Sequence, residues 1–269
     1  MKAIRIHEHG GPEVLRYEDA PEPEPKPNEV LVRVKACALN HLDLFVRGGI
    51  PGLKLTMPHI LGSDAAGEVV SVGSLCTRVK PGDRILVAPG KQSWQSPEAM
   101  RGLDNFAPDY GLLGYHYPGL QAELVAIPES NALSIPGELS FEQAASIPLV
   151  FQTAWHMLVG LAKIRFCEDV LILGGSSGVG IAAIQIAKLH HCRVIATAGE
   201  TKRSPRPRPS ARITSSTTTR RTSRPRCATS SAARVRHRLR ACRQSHLGSL
   251  GRLSRPSWAL GHLRRHHRR

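Results

Sequence analysis

From Met1 to about Pro128, apolar and polar residues alternate in short runs broken by proline and glycine. KAIRI, EVLVRVKACAL, AAGEVVSVG, DRILVA and AELVAI each put every second side chain on one face, as in a half-buried strand. PEPEPKPNE and VKPGDR punctuate them as turns, because proline pre-sets φ and glycine accepts backbone angles that side chains avoid. This pattern predicts a compact, mostly β domain over residues 1–128. The period then changes. Ser140 to Leu161 (SFEQAASIPLVFQTAWHMLVGL) reads as a helix, with Ser140 as its N-cap and Glu142 and Gln143 in its first turn. An apolar strand at Val170–Leu173 comes next, then GGSSGVG over Gly174–Gly180, a helix to about His191, and a second strand at Arg193–Thr197. Strand, glycine turn, helix and strand open a parallel sheet of the α/β class, so residues 129–201 are predicted to hold an interdomain helix and a first βαβ unit.

No period persists from Lys202 onward. The 68 residues 202–269 carry nineteen Arg and one Lys and no acid, which leaves 17 bases and 21 acids in the first 201 residues. The whole-chain net charge of +16 therefore averages a slightly acidic protein with a strongly basic tail. On composition the tail cannot bury a core, and it is expected to be disordered. The six cysteines form no CxxC pair and no cluster, which argues against a disulfide framework and suits a reducing cytosol. The N-terminus has no signal-peptide run, and no stretch reads as a membrane span, so a cytoplasmic location is expected.

The glycine turn brings in chemistry. Backbone amides and the positive end of a helix dipole make a helix N-terminus an anion site, and glycines let a pyrophosphate approach. With Ser177 at its third position the turn is not a clean GxGxxG, but its place between an apolar strand and a helix favours a nucleotide.

PEPEPKPNEVLVRVKACALNHLDL, PHILGSDAAGEVVSVG, VKPGDR, SIPLVFQTAW and GGSSGVGIAAIQIAK, in this order, resemble the medium-chain dehydrogenase/reductase family, nearest its quinone oxidoreductase and enoyl-reductase branch or a zinc-less relative of the alcohol dehydrogenases. The resemblance covers about residues 1–199. It implies a GroES-like β domain, the first part of a Rossmann domain, and hydride transfer between NAD(P)H and a quinone, alkene or carbonyl. It also implies a small-molecule substrate and, in the intact family, a homodimer; neither a specific nucleic acid nor a membrane is expected as a partner. The three catalytic zinc ligands of zinc members fall here on Asn40, Ser63 and Leu149, and the four structural zinc cysteines on Ser93, Ser96, Ala99 and Ala107. Zinc needs thiolate, imidazole or carboxylate ligands, so no metal is expected, and a zinc-dependent alcohol dehydrogenase is the alternative reading. His41, Asp43, His59 and Asp64 are candidates for some other site, but the favoured reading is of loop residues satisfied by the backbone. By the resemblance Asn40 and Thr153 lie near the nicotinamide, and Gly175, Ser177, Gly178, Val179 and Gly180 at the pyrophosphate. Where NAD-preferring members carry Asp at the end of the second strand, Ala198 stands here; with Lys202 nearby to meet a 2′-phosphate, NADP(H) is expected over NAD(H).

Two readings of the tail compete. One is a nucleic-acid arm, held to phosphate by arginine. The other, favoured, is an out-of-frame translation. Ala211–Thr219, back-translated with GC-rich codons and read from the third base, gives ADHVIDYH, which resembles the segment after the family's second Rossmann strand. Leu239–Ser245 and His262–Arg269, read from the second base, give FEHVG and TCGATTG, like its later strands. A frameshift would leave the cofactor domain incomplete and the activity impaired.

Overall fold

The computed structural model describes residues 1–92 and 96–197, together with the backbone of a strand at 240–242. Along the chain run β1 (Lys2–Ile6), β2 (Arg16–Asp19), β3 (Glu29–Ala38), α1 (His41–Gly48), β4 (His59–Ile60), β5 (Asp64–Val72), β6 (Arg84–Val87), β7 (Gly90–Lys91), α2 (Pro97–Met100), β8 (Gly111–Leu112), β9 (Leu124–Pro128) and β10 (Ala132–Ser134). Then come α3 (Phe141–Ala145), α4 (Pro148–Trp155), β11 (Asp169–Ile172), α5 (Gly178–Leu189), β12 (Arg193–Ala196) and β13 (Arg240–Cys242).

The alternating runs do become strands. A five-stranded antiparallel sheet, ordered β10-β6-β5-β3-β9, is joined by a β2-β1-β4 sheet and a β7-β8 pair. Val30, Val32, Ala65, Ile85, Val87 and Ile127 show no exposed surface and form the centre of its core. The close β3–β5 pairing needs Gly67, where a Cβ would run into the Arg33 carbonyl.

The single helix expected over Ser140–Leu161 is two. Ser140 caps α3 in a capping box with Gln143, as expected. Pro148 then starts a second helix as its first residue, because proline has no N–H to continue the α3 ladder. The last stretch, His156–Leu161, is wound as π-helix. Phe141–Leu161 taken together is long and apolar enough to cross a membrane by length and composition only, but it is broken at Pro148. Its small residues, however, are core. Ala144 and Ala145 pack on Ala66 and Leu86 of the β domain, whereas Ala154 and Leu158 pack on Val170, Ile172 and Ala183.

β11, α5 and β12 form the βαβ unit, with β12 parallel to β11 from Asp169↔Arg193 to Ile172↔Ala196. On the other side of β11 lies β13, also parallel, from Val170↔Arg240 to Ile172↔Cys242. The rest of the tail expected to be disordered over residues 202–269 lies outside the described residues. Cys37, Cys76 and Cys192 are free thiols, and Cys167 is disulfide-bonded, a pairing that cysteine spacing alone does not reveal.

Candidate functional site

The glycine turn is built for close approach. Gly174 sits at φ +69°, in the left-handed region, and a Cβ on Gly180 would strike the Gly174 carbonyl. A Cβ on Gly175 would lie 2.9 Å from that of Ala196. Helix α5 therefore starts directly against the end of β11. Ser177 is its N-cap: Oγ accepts from the Gly180 amide at 3.0 Å and donates to the Gly174 carbonyl at 2.8 Å. The Gly178 and Val179 amides have no intramolecular acceptor among the described residues. Two free amides on a helix N-terminus suit a phosphate, so the cradle fits a dinucleotide. A shallow hollow with room for little more than a water molecule, lined by Met157, Ile172, Leu173, Ser177, Val179 and Gly180, lies beside it. Thr197, which the sequence reading passed over, ties the turn to β12: its Oγ1 accepts from Gly174 N at 3.2 Å and its carbonyl from Gly175 N at 2.8 Å. Ala198 and Lys202, expected to choose between NADP(H) and NAD(H), lie outside the described residues.

Some 85 positions of sequence separate the other half of the site from its partner. Asn40 is the N-cap of α1, and its amide donates to Asp43 Oδ2 at 2.7 Å. Its side-chain Nδ2 donates to Asp64 Oδ2 at 2.9 Å. The other oxygen of Asp64 accepts from the backbone amide of Leu149, also at 2.9 Å, in the first turn of α4. Asp64 thus brings together two of the three expected zinc-ligand positions, and the third, Ser63, is its chain neighbour. Ser63 Oγ donates to the Leu113 carbonyl at 2.8 Å. Thr153 lies on α4 one turn after Leu149, half-buried.

The reading of Asp64 as a loop residue served by the backbone is therefore corrected. It begins a strand, is 1% exposed, and takes one side-chain and one backbone donor. Burial pushes its carboxyl up to about 6, against the pull of Asn40 and Leu149, and the Asp43 charge adds to the rise. Burial raises Asp43 too. Cys37 turns its thiol onto the Leu120 carbonyl at 3.2 Å, and desolvation with the Asp43 and Asp64 charges pushes it up to about 11. His59 is buried and held neutral by desolvation, which lowers its pKa. The backbone of Asn40 and Gly62 serves Asp43 and that of Gly114 serves His59, while Asp43 Oδ1 and His59 Nε2 lack hydrogen-bond partners among the described residues. His41 instead lies with its ring tilted against Phe45 within α1, centroids 6.4 Å apart.

A catalytic zinc does not fit these residues. Leu149 has no donor atom, the Ser63 hydroxyl is engaged, and the Asn40 amide is bonded to Asp64. No group of three or more His, Cys, Asp or Glu able to hold a metal occurs among the described residues. At the structural-zinc positions Ser96 caps α2 through the Ala99 amide at 3.1 Å, and Ala99 and Ala107 are buried. Ser93 lies outside the described residues.

Residues 26–137 match the alcohol dehydrogenase GroES-like domain. Human quinone oxidoreductase is 33% identical over 200 residues, 74% of this chain and 53% of that protein. Over those residues the chain belongs to the medium-chain dehydrogenase/reductase family. A crystal structure of an NAD-dependent alcohol dehydrogenase, 49% identical, superposes with a TM-score of 0.72 over 74% of this chain and 58% of that one. The cobalt- and zinc-bound thermostable alcohol dehydrogenase of Pyrobaculum aerophilum is 33% identical, with a TM-score of 0.67 over 73% and 58%. This medium-chain dehydrogenase/reductase thus has a GroES-like domain and a Rossmann-like α/β portion, and spans about half the length of the curated relatives it matches.

Proposed function

We propose that this chain carries the site of a cytoplasmic, zinc-independent oxidoreductase that transfers hydride from NADPH to a quinone, enone or carbonyl. The observation that carries the reading is the convergence of Asn40 and Leu149 on Asp64, beside a Ser63 engaged by the Leu113 carbonyl, with no metal-ligand set among the described residues, in a chain that also holds a dinucleotide cradle at Ser177–Gly180. When bound, the nicotinamide supplies the hydride. Gly178 and Val179 offer amides to its pyrophosphate, Asn40 and Thr153 position the reacting ring, and the apolar walls exclude water. Preference for NADP(H) is supported by Ala198 and Lys202 in the sequence. Residues 1–128 form the GroES-like unit of this reading and 129–201 the interdomain helices and first βαβ unit.

We also propose that residues 202–269 are translated out of frame. The likeness to the relatives covers 200 of the 269 residues, and the 69 left over match the basic tail in length. Activity is then weaker than in intact relatives, since the rest of the cofactor platform and the dimer surface are lost. Titration of the purified chain with NADPH and NADH, then turnover with a soluble quinone, tests the function. NADPH is expected to bind more tightly, with measurable quinone reduction; tighter NADH binding, or turnover only after zinc is added, overturns the reading. Resequencing the gene tests the frame.

A further inference from the structure

We propose that Asp64 is the positioning residue of the site: one carboxylate sets both the direction of the Asn40 carboxamide and the seating of α4. An ionised carboxylate only accepts hydrogen bonds, so Asn40 must turn its Nδ2 toward it. The second oxygen takes the Leu149 amide, one of the first-turn N–H groups for which a helix has no internal acceptor. Asp64 therefore caps α4 from a strand of the other domain. Leu149 and Thr153 stand four residues apart, on the same face of α4. The two residues assigned to the nicotinamide, one in each domain, are thereby referred to a single buried group. No ion pair at Asp64 competes for either oxygen among the described residues. The proposal uses the proposed function only in naming Asn40 and Thr153 as cofactor neighbours.

The test uses the 15N-labelled full-length chain with Asp64→Asn and Asp64→Ala. Asparagine keeps an acceptor for Leu149 but presents N–H toward Asn40, which must then flip. In Asp64→Asn the Asn40 side-chain amide resonances should move, while Leu149 exchange stays within about threefold of the parent. In Asp64→Ala, Leu149 exchange should rise about tenfold or more. With NADPH and quinone, Asp64→Asn should lower kcat about tenfold and leave KM for NADPH within about threefold, a split that a purely structural role does not give. Unmoved Asn40 resonances in Asp64→Asn, or unchanged Leu149 exchange in a folded Asp64→Ala, overturn the proposal. If Asp64→Ala does not fold, the nearly isosteric Asp64→Asn decides through Asn40. A parent chain that turns nothing over defeats the function instead, and the resonances still decide the role of Asp64.

Discussion

The β domain buries the inner faces of its central strands, whereas in the α/β portion Val170 and Ile172 of β11 are buried and β12 stands partly open. In the first, Val30, Val32 and Ile127 on neighbouring strands are at 0% exposure. In the second, Ile195 of β12 is 39% exposed, and Trp155, Phe166 and Leu189 stand at 53%, 65% and 76%. A strand in a parallel sheet is ordinarily covered on both faces by helices, and here α5 lies against β11 and β12. The antiparallel sheets close around a core made within residues 1–137, whereas a βαβ unit relies on further strands and helices to cover it. The two portions should therefore differ in stability although both match the family.

Matched core truncations probe this difference most strongly. Ile127→Ala should destabilise the β domain by about 4 kcal/mol, and Ile172→Ala the α/β portion by about 2 kcal/mol, read from separate transitions in urea. Equal costs in one shared transition would break the comparison.

The junction comes next. Burial holds the Asp64 carboxyl near 6, against an ordinary 3.8 for the unfolded chain. Between about pH 4 and 6 the unfolded state releases its proton while the folded state keeps it, so stability falls as pH rises through that window. The fall is up to about 3 kcal/mol, with no further change from this group above about pH 6. Asp43 shifts in the same direction and adds to it. Asp64→Asn should flatten much of the slope and be more stable than the parent at pH 7, as thermal melts across pH would show.

Smaller effects sharpen the contrast at the cradle. Gly180→Ala drives a methyl onto the Gly174 carbonyl and should cost about 2 kcal/mol in the α/β transition alone, with NADPH binding lost. Ser177→Ala removes the α5 cap and should cost about 1 kcal/mol, again without moving the β transition.

Legibility in the sequence divides along the same line. Period-two runs such as Glu29–Ala38 became strands because alternation and β-branched residues act locally. The glycine turn was legible because its angles demand glycine at Gly174. Pro148 was visible, but the apolar run around it hid the break between α3 and α4. The Asp64–Leu149 bond was not legible, since nothing local says that a strand start and a helix start 85 residues apart will meet. β13 was hidden for the same reason: Arg240–Cys242 has no strand pattern of its own and takes its conformation from pairing with β11.

The central claim is that Asp64, rather than a metal, organises Asn40 and α4. Metal analysis of the full-length chain, incubated with one equivalent of zinc and then dialysed, addresses it most directly. Asp64 with Asn40, Ser63 and Leu149 should retain well under one zinc per chain, on the order of background. One tightly held zinc per chain, lost in Asp64→Asn, would contradict the account.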